Sequence, residues 1–223
     1  MTQNNTLIIG SEGTIGTALV NEYQQENLIT LSKKDFEYTE DNLLKKSQYL
    51  QATHSFTTII CCIGTLHDDT VQPEKSIKQI GTNTLEHYFY VNSILPALII
   101  KFFSPLLSKT ESSRFVCLSA MVGSTSDNHL GGWYGYRASK AALNSLIKTA
   151  SIELKRTNKM TSIVAIHPGT TIGELTAPFA RNIDPEKYYT PAQTARHIKT
   201  VASQLTPDQS GSFLNWDGSI IPW

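Results

Sequence analysis

Apolar residues fall along this chain in two alternating rhythms. Short runs rich in β-branched and aliphatic residues read as strands: TLIIG (6–10), LITLS (28–32), TTIICCIG (57–64), RFVCLSA (114–120) and TSIVAIHPG (161–169). Their interiors are apolar nearly throughout, as in strands covered on both faces. Between them, TIGTALVNEYQQ (14–25), TLEHYFYVNSILPALIIKFFSPLL (84–107), YRASKAALNSLIKTASIELKR (136–156) and PAQTARHIKTVASQL (191–205) repeat apolar positions at helical spacing. This alternation predicts an α/β fold: a Rossmann-type, doubly wound parallel sheet with helices on both faces. One junction breaks the pattern. FEYT (36–39) resembles a further strand yet follows LITLS by only a few residues, whereas a parallel crossover needs about a dozen. The reading there is a loop and a very short third strand, with the second crossover helix shortened or missing.

The chain of 223 residues fits one domain over 1–223, and no repeat, low-complexity tract or Pro/Ser linker marks a boundary. A formal net charge of +0, with 17% charged residues, argues against a polyanion partner, so nucleic acid is not expected. The start, MTQNNTLIIG, has no basic segment ahead of its apolar run, which soon meets Ser11 and Glu12, so no signal peptide is read. ILPALII (94–100) ends at Lys101, short of the ~20 apolar residues of a membrane span. The expectation is a cytoplasmic protein with no membrane partner. Cys61, Cys62 and Cys117 are too few, and too apolar in context, for a disulfide framework. The histidines at 54, 67, 87, 129, 167 and 197 lack close ligand spacing, so no metal site is expected.

Chemistry enters first at the junction of the first strand and first helix. In LIIGSEGTIGTALV, the segment Gly10, Ser11, Gly13, Thr14, Ile15, Gly16 can turn tightly and offer free helix-start N–H groups to a pyrophosphate. Which dinucleotide binds is set at the end of the second strand, where an acid contacts ribose hydroxyls and a base accepts a 2′-phosphate. The chain reads Leu31-Ser32-Lys33-Lys34 there, with no acid until Asp35. Ser32 and Lys33 favour NADP(H), while Glu12 inside the turn keeps NAD open.

A second concentration of chemistry lies in GGWYGYRASKAALNSL (131–146). In a helix beginning near Gly135, Tyr136 and Lys140 are one turn apart on one face, and Tyr134 precedes the helix. A free phenol titrates near ~10 and a lysine near ~10.4, but a close ammonium favours phenolate. The pair can thus give a proton to a carbonyl or take one from an alcohol.

Taken with Asn92 in YVNSILPAL, LSA at 118–120 and His167-Pro168-Gly169, these motifs make the chain resemble the short-chain dehydrogenase/reductase family over nearly its whole length. The resemblance is closest to the C-factor-like (CsgA-related) branch, through LHDDTVQPEKS (66–76), VGSTSDNHLGGWYGYRASKAALN (122–144) and FLNWDGSIIPW at the end. It implies Tyr136 as proton donor or acceptor, Lys140 lowering its pKa and bonding the nicotinamide ribose, and Asn92 at a helix irregularity holding a relay water. It further implies that Cys62, Ile63 and Gly64 stand where the family often has Asn-Ala-Gly beside the cofactor. Pro168, Gly169 and Thr170 would line the nicotinamide, and Glu37 stands where an aspartate often meets the adenine.

The chain also departs from the family. Thr14 replaces the usual middle glycine, and Gly173 falls where a hydroxyl often meets the nicotinamide amide, leaving Thr170 or Thr171 as substitutes. At the strand end the family often has two serines, the second catalytic, and here the pair reads Ser119-Ala120. Ser119 is taken as the catalytic serine, with Ser124 as its rival. The expected function is an NADP(H)-dependent carbonyl reductase or alcohol dehydrogenase acting on a small molecule. The alternative is an NAD(P)-binding C-factor-like signalling or regulatory protein with little turnover. The loops at 65–75, 121–134 and 171–190 would form the pocket, where Trp133, Tyr134, Phe179, Tyr188 and Tyr189 suggest an apolar lining or, equally, a subunit interface or loop packing. The family further implies a homo-oligomer, dimer or tetramer, through the helices at 84–107 and 136–156.

Overall fold

The computed structural model describes residues 5–35, 37–182 and 188–223, with the backbone alone for 180–182. Phe36 of FEYT and residues 183–187 of the expected pocket loop lie outside these. In chain order the elements are β1 (Asn5–Ile9), α1 (Thr14–Glu22), β2 (Asn27–Leu31), α2 (Glu40–Gln51) and β3 (Thr58–Cys61). There follow α3 (Thr82–Phe89), α4 (Leu95–Phe103), β4 (Ser113–Leu118), α5 (Tyr134–Thr157) and β5 (Thr161–Ile166). The chain ends with β6 (Thr170–Thr171), β7 (Tyr188–Tyr189), α6 (Pro191–Gln204) and β8 (Phe213–Leu214). Six strands form one parallel sheet in the order β2-β1-β3-β4-β5-β8. The chain leaves β1 for β2 on one side and returns to β3 on the other, so strand order reverses at the β1/β3 boundary. In open α/β sheets that reversal opens a crevice beyond the strands' C-terminal ends.

Period-two alternation sorts the core into two layers. Leu7, Ile9, Ile59, Cys61, Phe115, Cys117, Ile163 and Ala165 pack on one face with Leu43 of α2, Leu95 and Ile99 of α4, and Leu143 and Ile147 of α5. The intervening Ile8, Ile60, Val116 and Val164 face Leu19 of α1 and Ala195 and Ile198 of α6. Both faces of the sheet are therefore dry, which is why its strands read as unbroken apolar runs.

Two expectations need correction. The second crossover helix is present: α2, of 12 residues, connects β2 to β3. Glu37–Thr39 is not a strand but the approach to that helix. Thr39 caps it by accepting from the Asn42 amide at 3.3 Å, Glu40 and Asp41 occupy its first turn, and the Tyr38 hydroxyl donates to the Leu31 carbonyl. The helix is inconspicuous in sequence because its buried stripe is only Leu43, Ser47 and Leu50. Secondly, α3 and α4 join through a π-helical turn (Tyr90–Ile94) into one run, Thr82–Leu106, of 25 residues. By length and composition this run could cross a membrane, whereas ILPALII alone is too short. Half of its most apolar window is buried in the fold, which accounts for its composition.

Candidate active site

The glycine turn sits at the strand-order reversal. Gly10, just past β1, has φ +83°, and a Cβ there would lie 3.2 Å from the Cys62 carbonyl carbon just past β3. Gly16, in the first turn of α1, lies against the loop itself: an added Cβ would fall 2.1 Å from the Gly10 carbonyl oxygen. Real Cβ atoms do not approach so closely, so Gly16 is required by packing. Gly13 is the N-cap of α1 and supplies no side-chain cap, and no acid occupies the first turn. The orphan N–H groups and the dipole of α1 are thus left for an anion. Ser11 is buried, with its hydroxyl on the Leu31 carbonyl at 3.3 Å. Thr14 and Ile15 open the helix. These residues fit a dinucleotide's pyrophosphate.

Beyond β2, Ser32 is buried and its hydroxyl accepts from the Lys34 amide at 3.2 Å. Lys34 pairs with Glu12 at 2.8 Å, which offsets the acid inside the glycine turn. Lys33 is exposed and forms no ion pair among the described residues. Glu37 is exposed as well.

The second cluster lies beyond the C-terminal ends of β3 and β4. Asn92 is fully buried in the π-helical turn, the irregularity expected for it. Its Oδ1 accepts from the Thr65 amide at 2.8 Å, and its Nδ2 donates to the Thr65 carbonyl at 3.0 Å and to Ser139 Oγ at 3.1 Å. Both amide ends are thereby spent on holding the start of the loop after β3. Cys62 donates its amide to the Ile9 carbonyl, and Ile63 joins the core. Gly64 faces the lysine: a Cβ there would lie 2.9 Å from Lys140 Nζ and 3.3 Å from Asn92 Oδ1.

Tyr136 and Lys140 lie one turn apart in α5, both buried. The Lys140 ammonium donates to the Leu118 carbonyl at 3.0 Å. Burial pushes its pKa down to about 8, opposed by the Cys61 and Cys117 thiols. Burial alone pushes the Tyr136 phenol up. That hydroxyl has no hydrogen-bond partner among the described residues, so ring packing sets its place. Tyr136 meets Tyr88 and Trp133 edge to face, each at 6.1 Å between centroids, and Trp133 meets Phe179 at 5.0 Å. Helix α5 begins one residue before Gly135, at Tyr134, which is therefore its first residue rather than part of the approach.

Among the described residues, no serine hydroxyl bonds the Tyr136 phenol. Ser119 donates to Asn144 Oδ1 of α5 at 2.7 Å, and Ser124 donates to the Pro222 carbonyl at 2.6 Å. Each proton is already committed to holding a neighbouring segment. The strand-end residue that packs with Leu66, Tyr88 and Tyr136 is Ala120. One step along an extended chain turns a side chain to the opposite face, which separates Ser119 from Ala120.

Thr170 is half-buried in β6, paired with Tyr188. Thr171 shares a 2.8 Å hydrogen bond with Thr194, and Gly173 leaves room for Thr14, whose Cγ2 and Oγ1 would lie 2.8 Å from a Cβ there. Pro168 is buried, and Gly169 (φ +78°) lies against the Tyr189 ring, which packs with His197 and Trp216. Tyr189 thus belongs to a cluster separate from that of Tyr136.

One contributor, Glu74, escaped the sequence, and Trp133 was expected for its ring but not for its backbone. Glu74 is buried at the start of α5, though between Pro73 and Lys75 it reads as an ordinary loop charge. Trp133 takes a left-handed backbone (φ 53°) after Gly131 and Gly132, both near φ 66°. The paired glycines signal such a turn, but nothing in a tryptophan does.

A family model described as "short chain dehydrogenase" matches residues 58–184. Curated relatives include "1-hydroxy-2-glutathionyl-2-methyl-3-butene dehydrogenase" from Rhodococcus sp. (strain AD45), 33% identical over 133 residues, or 60% of this chain and 56% of that protein. Another is "C-signal" from Myxococcus xanthus, 30% identical over 135 residues, or 60% of this chain and 76% of that protein. The match to the first spans little more than half of that relative's length. Among solved structures, carbonyl reductase Sniffer of D. melanogaster superposes with TM-score 0.82 at 19% identity, covering 99% of this chain and 100% of that one. An NADPH-bound carbonyl reductase from chicken fatty liver gives TM-score 0.82 at 19% identity over 100% of both chains. At that identity the likeness is one of fold.

Proposed function

This chain belongs to the short chain dehydrogenase family, and from that premise we propose that it is an NADP(H)-dependent carbonyl reductase or alcohol dehydrogenase for a small organic substrate. The observation that carries the reading is the convergence of Lys140, Asn92 and Gly64 beside Tyr136 at the strand ends, next to the glycine cradle. The cradle from Gly10 to Gly16 would hold the pyrophosphate of the dinucleotide. Ser32 and the unpaired Lys33 favour a 2′-phosphate on its ribose. When bound, the nicotinamide supplies or accepts the hydride. Tyr136 gives its proton to the substrate oxygen in reduction and takes one in oxidation. Burial holds its phenol above the ordinary value, so a cation is needed to favour phenolate, and the ammonium of Lys140, one turn along the helix, would supply it. Asn92 fixes the loop at Thr65 that flanks this site. Ser119 serves as an anchor to Asn144 in this reading. A cytoplasmic location and assembly through α4 and α5 belong to the same proposal, the exposed Leu146 and Ile152 of α5 supporting assembly.

The test follows the absorbance of NADPH with a panel of aldehydes and ketones led by para-nitrobenzaldehyde. Tyr136→Phe is expected to lower kcat by about 10²- to 10⁴-fold, the usual worth of a general acid. Equal rates for the variant and the wild type would sink the mechanism. Ala120, in place of a hydroxyl beside Tyr136, favours a second reading: a dinucleotide-binding signalling protein with little turnover. NADPH binding with no turnover on any panel member would select it.

A further inference from the structure

We infer that Glu74 is a positioning residue for the proton donor: from the loop after β3 it pins the first turn of α5, so that the Tyr136 ring is held toward the substrate side. The inference rests on the reading of Tyr136 as the acid. Glu74 is 3% exposed, and a buried carboxylate is costly unless hydrogen-bonded. Its two carboxylate oxygens lie 3.2 and 3.1 Å from the Gly135 amide, and its backbone carbonyl accepts from the Trp133 amide. Helix α5 has no side-chain cap from Trp133 and no acid in its first turn. Glu74 therefore supplies from another segment both the acceptor and the negative charge that a helix start favours.

The fit is close on every side. A Cβ on Gly135 would fall 2.9 Å from Glu74 Oε1 and 2.5 Å from the Tyr88 ring. Tyr88 is itself fixed by donating to the Leu66 carbonyl at 2.6 Å, so the same loop reaches the helix start at two points. Trp133 stands between them in the left-handed conformation, which costs a bulky L residue energy and persists only where its surroundings impose it. The bond from its amide to the Glu74 carbonyl is such a constraint, and its indole packs directly on Tyr136. Since the Tyr136 hydroxyl has no hydrogen-bond partner among the described residues, the ring contacts and the helix start alone set its direction.

The experiment measures, for wild type, Glu74→Ala, Glu74→Gln, Glu74→Asp and Tyr136→Phe, three quantities: NADPH binding by fluorescence, the thermal unfolding midpoint, and kcat and KM for the fastest panel carbonyl. Rates are normalised to NADPH-binding sites, so that loss of folded protein does not count as loss of catalysis. Glu74→Ala should lower kcat per site about 10- to 100-fold while NADPH affinity stays within about threefold, because a small misplacement of a catalytic group acts on the chemical step. Glu74→Gln keeps an acceptor for Gly135 and should recover most of the rate. A merely structural role predicts a lower unfolding midpoint with wild-type kcat per site, and that result would overturn the inference. Should Glu74→Ala not fold, Glu74→Asp decides. Its shorter carboxylate should fold and lose kcat by about tenfold, and full kcat would overturn the inference. An inactive Tyr136→Phe beside a full-speed Glu74→Ala rejects this inference alone; a full-speed Tyr136→Phe rejects the functional reading and takes this inference with it.

Discussion

The glycine cradle proposed for the dinucleotide and the Tyr136 cluster proposed for proton transfer adjoin one another at the C-terminal edge of the same sheet, yet they are made of different material. The cradle is backbone: Gly10 turns with positive φ, Gly16 clears the Gly10 carbonyl, and α1 presents bare amides. The Tyr136 cluster is side chain: a buried phenol, a buried ammonium, an amide fixed at both ends, and an alanine packed beside the phenol. A backbone site tolerates exchange of most side chains but not the arrival of a Cβ. A side-chain site tolerates small backbone shifts but depends on which face of the strand each residue takes. The two ends should therefore fail in different ways when mutated.

After Tyr136→Phe, the largest effect is expected at the cradle. Gly16→Ala places a Cβ where the Gly10 carbonyl already stands, so the turn must open. NADPH affinity should fall by about 100-fold or more, ~2.7 kcal/mol, and stability by about 1–3 kcal/mol through overpacking. Fluorescence titration and thermal unfolding check both. An unchanged dissociation constant would break the distinction, because the cradle would then not depend on its backbone.

The same difference decides what could be read from the sequence. Gly10, Gly13 and Gly16 announce a backbone function at a strand–helix junction, and they lie where the alternation of elements placed them. The sheet was legible because both of its faces are dry. Helix α2 was not, because it buries only Leu43, Ser47 and Leu50 and so lacks a wide apolar stripe. Tyr136 and Lys140 share one turn of α5, and Asn92, in a helix irregularity, bonds Ser139 between them. The serine was harder. Sequence proximity kept Ser119 in contention, whereas the turn of one residue sends its hydroxyl to Asn144. Glu74 was invisible, since only the tertiary fold carries its carboxylate to Gly135 from a loop far back in the chain.

A second measurement probes the side-chain end through its protons. Burial lowers the Lys140 pKa from 10.5 to about 8. Below about pH 8 the ammonium is charged in both folded and unfolded chains, and the cost of burying it is fully present. Between about 8 and 10.5 the unfolded chain holds more protons than the folded one, so stability rises with pH through that window. Relative to Lys140→Met, the wild type should gain roughly 2–3 kcal/mol between pH 7 and pH 10.5, read from denaturant unfolding at each pH. Parallel curves for the two proteins would mean that the ammonium is not buried as described. Gly16→Ala should show no such pH-dependent difference, because it changes no titratable group.

The smallest effect is also the most discriminating, because it sets two neighbouring residues against each other. Ala120 packs in the Tyr136 cluster and Ser119 does not. Ala120→Ser should therefore add a donor beside the phenol and raise kcat. Removing a donor of this kind costs an enzyme about 10²–10³ in kcat, and a newly added one, without its supporting contacts, should recover only about tenfold of that. Ser119→Ala should leave kcat within about twofold and instead cost about 1–3 kcal/mol of stability, since the buried Asn144 Oδ1 loses its donor. The opposite result, an inert Ala120→Ser and an inactive Ser119→Ala, would mean that substrate entry frees the Ser119 hydroxyl from Asn144. The face of the strand would then not be what separates this site from its family's pattern. If Ala120→Ser gives turnover where the wild type has almost none, the alanine itself accounts for the quiet enzyme, and the rest of the proton site is intact around it.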